Sequence, residues 1–230
     1  MECPSNQSPL QAGDVQRICS ENGLEILDSQ WNLLKKWVDL LMEINQKVNL
    51  ISRKDTNFLW EKQILSCLSL LIFRNFNQSS EICDFGTGGG LPGMIIAIVR
   101  PDLFLTLLDS RKNKVKVVQQ MIETLKIPNV QIVLGRGEEL GKESQWFHRF
   151  PIVTSRAVAP IIDIVRWTSD LRNPESVLHL FKGGEFKDEE FDLSDTFSRY
   201  KIKKSLINLK GFSKFAENQK YLLSIEFNLD

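Results

Sequence analysis

One segment constrains the fold of this chain more than any other: Asp84-Phe85-Gly86-Thr87-Gly88-Gly89-Gly90-Leu91-Pro92-Gly93. It follows a short apolar run, Glu81 to Phe85, and leads into the apolar stretch that begins at Pro92. A strand that runs into glycines and then into a helix leaves backbone N–H groups beside a ligand, with no Cβ in the way. Proline suits a first helical position, because its missing N–H has no partner there anyway. In open α/β sheets, ligands sit at the carboxyl ends of the strands.

The chain changes character near residue 80, dividing into a helical part over 1–78 and a second part over 79–230. Trp31, Leu34, Val38, Leu41, Ile44, Asn45 and Val48 recur in steps of three and four, one stripe of an amphipathic helix. Asp28 or Ser29 can cap its start, and Asn22-Gly23 reads as the stop of a shorter helix before it. Asp55 and Thr56 then read as the entry to a third helix, running through Trp60 toward Phe73.

Beyond residue 80, strands alternate with helices. Leu103 to Asp109, Val130 to Leu134, Pro151 to Ser155 and Ser176 to Phe181 read as strands, with helices over 112–125 and 161–171. Such alternation implies right-handed crossovers and a mostly parallel sheet. The tail differs: KSLINLK and KYLLSIEF read as an antiparallel pair at the sheet's far side.

Two registers of the glycine loop name different ligands. Counted from Gly86 the spacing is G-x-G-x-G (Gly86, Gly88, Gly90), which is associated with S-adenosylmethionine. Counted from Gly88 it is G-x-G-x-x-G (Gly88, Gly90, Gly93), which suits a dinucleotide. The turn should begin where the strand ends, which favours the first register. In that register the third dinucleotide glycine falls on Leu91. Asp109, at the end of the second strand, can accept ribose hydroxyls of either ligand; its plainer reading is a helix-capping aspartate. Glu138, in Gly135 to Glu139, can lie along an adenine or be a solvated acidic turn.

Bulk properties exclude several classes. No apolar run approaches the roughly 18 residues of a membrane span, and the N-terminus lacks a signal-peptide pattern. Cytoplasm is the expected location. The 29 basic and 29 acidic residues cancel, which gives no global attraction to nucleic acid, although RKNKVK (Arg111 to Lys116) and KIKK (Lys201 to Lys204) are basic locally. Cys3, Cys19, Cys67 and Cys83 form no C-x-x-C pair, and His148 and His179 are the only histidines, so no metal site is expected. His179 reads as a packed core residue, as do Trp31, Trp37 and Trp60.

The chain closely resembles the bacterial 16S ribosomal RNA guanine-N7 methyltransferases, also called glucose-inhibited division protein B. The segments that carry the resemblance are NQKVNLIS (Asn45 to Ser52), DFGTGGGLPG (Asp84 to Gly93), LLDSRKNKV (Leu107 to Val115), GRGEE, VTSRAVAPI (Val153 to Ile161) and FKGGEFKDEE (Phe181 to Glu190). The resemblance implies an α/β, Rossmann-like class I methyltransferase fold with a seven-stranded, mostly parallel sheet and a helical N-terminal extension. It implies S-adenosylmethionine as cofactor, contacted by Gly86, Leu91, Gly137, Glu138 and Arg156, to which the glycine spacing adds Gly88 and the strand-end argument adds Asp109.

The implied partner is 16S ribosomal RNA or the small ribosomal subunit; the oligomeric state is left open by the sequence, with a monomer as the default expectation. Arg156, after the fourth strand, is expected to orient the base or the donor's carboxylate. Arg136 and Lys182 are candidates for holding phosphate or the guanine edge; the alternative for both is a solvated charge. The chain lacks the Asn-Pro-Pro-aromatic motif of amino-group methylation and the Pro-Cys nucleophile of cytosine C5 chemistry, and both absences suit a ring-nitrogen acceptor. One departure stands out. Where the family carries a segment like HILDSL, this chain reads Gln63-Ile64-Leu65-Ser66-Cys67-Leu68, with Gln and Ser in place of His and Asp. A non-catalytic ribosome-assembly module and a dinucleotide-dependent oxidoreductase are the rival readings.

Overall fold

The computed structural model describes residues 8–184, 189 and 199–227. Helices α1 (Ala12–Glu21) and α2 (Asp28–Asn45) open the chain. Asn22 and Gly23 end α1 as expected, Gly23 taking φ +81°. Neither Asp28 nor Ser29 caps α2. The helix starts at Asp28, and the Gln30 side chain reaches back to accept the Leu27 N–H at 2.9 Å.

The third helix is not continuous. Arg53–Phe58 forms a 3₁₀ turn, Leu59–Leu65 a π-helix, and Ser66–Phe73 the α-helix α3. Wider winding shifts side chains off the 3.6-residue stripe, so Glu61 and Gln63 are buried along with Leu59, Ile64 and Leu65.

The sheet has seven strands in the order β3-β2-β1-β4-β5-β7-β6. They are β1 (Glu81–Phe85), β2 (Phe104–Asp109), β3 (Val130–Leu134), β4 (Phe150–Arg156), β5 (Arg172–Gly183), β6 (Tyr200–Leu206) and β7 (Lys220–Phe227). The first five run parallel, and β7 is antiparallel to both β5 and β6. The connecting helices are α4 (Gly93–Val99), α5 (Lys112–Leu125), α6 (Gly137–Leu140) and α7 (Ile161–Trp167), with α8 (Lys214–Glu217) before β7. Pro92 sits one residue before α4 rather than at its first position. The α7 helix stops four residues short of the expected end, and β5 begins four residues earlier than expected.

Buried side chains form one cluster on each face of the sheet. The larger joins Val15, Trp37 and Leu41 of the N-terminal helices to Ile82, Ile95 and Met121. The turn at 78–79 therefore separates two stretches of sequence but not two cores. Trp31 and Trp37 are core residues, and Trp60 packs on Trp31 at 5.7 Å between ring centres. His179 is also core: it hydrogen-bonds Ser224 at 2.9 Å, and burial pushes its pKa down to about 3. Cys19, Cys67 and Cys83 are free and buried; Cys3 lies outside the described residues.

Candidate functional site

Asp84 organises the glycine loop. It is fully buried, and its Oδ2 accepts the Thr87 hydroxyl at 2.6 Å and the Gly93 N–H at 2.8 Å. The Thr154 hydroxyl donates to Oδ1 at 3.4 Å. Burial raises its pKa to about 6, against the lowering effect of those donors. The N–H groups of Gly86 and Thr87 donate to the Leu108 carbonyl at 2.8 and 3.0 Å, clipping the loop to the end of β2. Gly86 itself sits at φ +71°, and a Cβ there would run into the Val158 side chain.

Beside this loop lies a cavity of about 260 Å³. Gly86 and Gly88 form one wall, Asp109, Arg111 and Lys114 another, and Arg136, Gly137 and Glu138 a third. Phe85 and Trp167, 6.4 Å apart between ring centres, supply aromatic surface. Asp109 is buried, and its two carboxylate oxygens accept the backbone N–H groups of Gly88 and Arg111 at 2.9 and 2.8 Å. Each oxygen keeps a further lone pair for a ligand hydroxyl. Gly137 leaves no room for a side chain, since a Cβ would press on the Trp167 carbonyl and lie 2.6 Å from the Phe85 ring. Aromatic surface, a buried carboxylate at a strand end and a close-approach glycine loop fit an adenosyl group.

A second cavity, about 620 Å³, opens at the end of β4. Arg156 is one of the cations that line it. Its guanidinium donates to the Gln63 side-chain oxygen and, at 3.3 Å, to the Lys62 carbonyl. Lys182, Lys214 and Lys220 also line it; Lys182 pairs with Glu189 at 2.5 Å and Lys214 with Glu61 at 3.4 Å. Ala157 lines both cavities. It sits at φ +55°, and this left-handed residue divides the chain so that Arg156 faces the larger cavity and Val158 the smaller.

Around the smaller cavity the fold brings together Gly86, Gly88, Asp109, Gly137, Glu138 and Arg136. Arg136 and Lys182, expected to act on the same partner, are in different cavities. Arg136 is largely exposed and lies 3.8 Å from Glu138. Leu91 is apart from both cavities, packed in the larger hydrophobic cluster. Gln63 was legible only as a departure, without its contact to Arg156. Lys114 sat unremarked in the basic RKNKVK run, and Trp167 and Val158 carried no sequence signal. Among the described residues there is no cluster of His, Cys, Asp and Glu that could hold a metal, and no helix long and apolar enough to cross a membrane.

Comparison with known proteins accords with this arrangement. In Bacillus subtilis, the solved YcgJ protein is 10% identical and has a TM-score of 0.52, covering 72% of this chain and 99% of that one. A precorrin-6y C5,15-methyltransferase from Geobacter metallireducens is 10% identical with a TM-score of 0.51, covering 79% and 91%. These likenesses concern the fold, which is the Rossmann-like class I methyltransferase fold. In sequence, the ribosomal RNA small subunit methyltransferase G of Christiangramia forsetii is 36% identical, over 78% of this chain and 82% of its own. That of Salmonella agona is 34% identical over 83% and 88%. The family model for rRNA small subunit methyltransferase G matches residues 30–216, and the chain belongs to this family.

Proposed function

We propose that this chain transfers the methyl group of S-adenosylmethionine to N7 of a guanine in 16S ribosomal RNA. The observation that carries the reading is the shared wall at Ala157, which sets an adenosyl-shaped cavity next to a cation-lined one large enough for a base. When bound in the smaller cavity, S-adenosylmethionine supplies an electrophilic methyl group on a sulfonium. Asp109 takes the ribose hydroxyls, the backbone at Gly86 and Gly88 lies against the donor, and Gly137 and Glu138 lie along the adenine.

Guanine N7 carries a lone pair and no proton at neutral pH, so no general base is needed. Catalysis then rests on holding the base in line and keeping water out. Arg156 orients the base, and Lys182 holds its O6 edge or a neighbouring phosphate. The helical extension, residues 1–78, contributes Lys62, Gln63 and Ser66 to the same cavity. The chain acts in the cytoplasm as a monomer and without a metal.

The test is transfer of labelled methyl to small ribosomal subunits from a strain lacking the modification, mapped at base resolution. Incorporation at one guanine N7, lost in Arg156→Ala, supports the reading. No incorporation by a protein that binds S-adenosylhomocysteine would leave a ribosome-assembly module as the better account.

A further inference from the structure

A third cavity, about 490 Å³, lies between the loop that follows α2 and the start of α5. Its charged lining consists of Arg53, Lys54, Arg111 and Lys114, and no carboxylate lines it. Several cations elsewhere are matched by a carboxylate, among them Arg17 by Glu21, Lys62 by Asp55, Arg100 by Asp102 and Arg149 by Glu81. Among the described residues, none of the four around this cavity forms an ion pair. In a chain of net charge zero, four unmatched cations around one open cavity repel one another until an anion arrives. Lys114 lies among these charges. Burial lowers its pKa, Asp109 works against that, and the charge of Arg111 lowers it further.

The cavity is also held in a fixed place. The buried Asn45 side chain accepts the Leu50 and Ile51 N–H groups at 2.8 and 3.0 Å, which locks the loop that presents Arg53 and Lys54. Leu50 packs on the glycine loop, where a Cβ on Gly89 would lie 3.1 Å from its side chain. Arg111 and Lys114 line the donor cavity as well. The basic surface is therefore continuous with the donor site and rigidly tied to it.

We propose that this cavity is a binding surface for the RNA backbone, in which Arg53, Lys54, Arg111 and Lys114 neutralise consecutive phosphates beside the methyl-donor pocket. The proposal rests on the methyl-transfer reading and adds where the strand is gripped. Open shape and cations on two separate elements suit a run of phosphates rather than one enclosed anion, and contacts of this kind hold the strand in register without reading its sequence.

The experiment measures affinity for small subunits lacking the modification, between about 50 and 200 mM potassium chloride. Wild type is compared with Arg53→Ala/Lys54→Ala, with the milder Arg53→Gln/Lys54→Gln, and with Lys36→Ala, which removes an exposed charge outside the cavity. Each lost phosphate contact flattens the log–log salt slope by about one. The double variants are expected to bind about tenfold more weakly at low salt with a slope flatter by one to two, roughly, while S-adenosylhomocysteine affinity stays unchanged and Lys36→Ala behaves as wild type. A wild-type slope in both double variants would overturn the surface. A wild-type protein that binds subunits with the predicted charge dependence yet transfers no methyl would overturn the reaction and leave the surface standing. No affinity of wild type for the subunit would overturn both.

Discussion

Arg156, at the end of β4, donates its guanidinium to the side-chain oxygen of Gln63, 93 residues earlier in the chain. Gln63 is the position where the resemblance noted in the sequence leads one to expect histidine, so that departure falls on the residue that steadies the arginine of the larger cavity. Gln63 is itself held, its amide nitrogen 3.5 Å from Asp55, which also pairs with Lys62 at 2.9 Å. Removing an acceptor from a charged donor costs about 1.5–3 kcal/mol where the site is buried, and less where water replaces it. Gln63→Ala is therefore expected to lower kcat/KM for subunit methylation about tenfold and to leave S-adenosylhomocysteine binding intact. Gln63→His, whose ring nitrogen can also accept, is expected to keep activity. Equal rates for wild type and Gln63→Ala would show that Arg156 needs no such support.

Asp109 offers a second test, in the smaller cavity. Its two oxygens already hold the N–H groups of Gly88 and Arg111, and their remaining lone pairs are the only capacity left for a ribose. Asp109→Asn replaces one acceptor by a donor, which must oppose one of these N–H groups. A loss of about ten- to a hundredfold in S-adenosylhomocysteine affinity follows from one or two hydrogen bonds to a charged group. Calorimetric titration measures it, and an unchanged affinity would remove Asp109 from the donor site.

Much of this was legible in the residues, for reasons that particular elements make plain. The 112–125 helix and the 130–134 strand came out with the expected bounds, the helix because its apolar spacing marks the face that buries Val118, Met121 and Ile122. Asp109 was placed by strand-end logic alone. The 53–73 stretch misled, since its apolar residues suit a regular helix and nothing local signals the π-helical winding that buries Glu61 and Gln63. The fifth strand was expected from Ser176, yet β5 starts at Arg172. Buried Arg172 lies over the Phe227 ring at 3.7 Å and bonds the Val165 carbonyl at 3.1 Å, contacts no local pattern contains. The pairing of Arg156 with Gln63, and the sharing of Lys114 between two cavities, exist only after the sheet has brought distant segments together.

Asp84 makes stability depend on pH in an unusual direction for a carboxylate. Burial raises its folded-state pKa to about 6, above the ordinary 3.8. As pH falls, the folded state takes up this proton near pH 6, while the unfolded chain waits until about 4. The group thus favours folding increasingly between those values, and that contribution is lost as pH rises through 6. Other carboxylates act in the opposite sense, so the comparison must be with Asp84→Asn, which cannot titrate. Between pH 7.5 and 5 the wild type should gain roughly 1 kcal/mol on that variant, measured by urea unfolding. A difference that does not vary with pH would mean that Asp84 keeps an ordinary pKa despite its burial.

Two glycines that look alike in sequence are expected to respond oppositely to alanine. Gly137 starts α6 at the wall of the donor cavity, where a Cβ would press on the Trp167 backbone carbonyl and the Phe85 ring. Backbone cannot swing aside as a side chain can, so Gly137→Ala must shift α6 or the end of α7. Overpacking of this kind costs about 1–3 kcal/mol, and because Glu138 and Trp167 line the same cavity the shift should also weaken S-adenosylhomocysteine binding. Gly13 lies in the first turn of α1, with nothing within 4 Å of a Cβ. There alanine removes only the conformational freedom of the unfolded chain, and Gly13→Ala should raise stability by about 0.5–1 kcal/mol with ligand affinity unchanged. Thermal unfolding with and without S-adenosylhomocysteine separates the two effects. A Gly137→Ala protein as stable and as tightly liganded as wild type would show that α6 has slack the packing does not reveal.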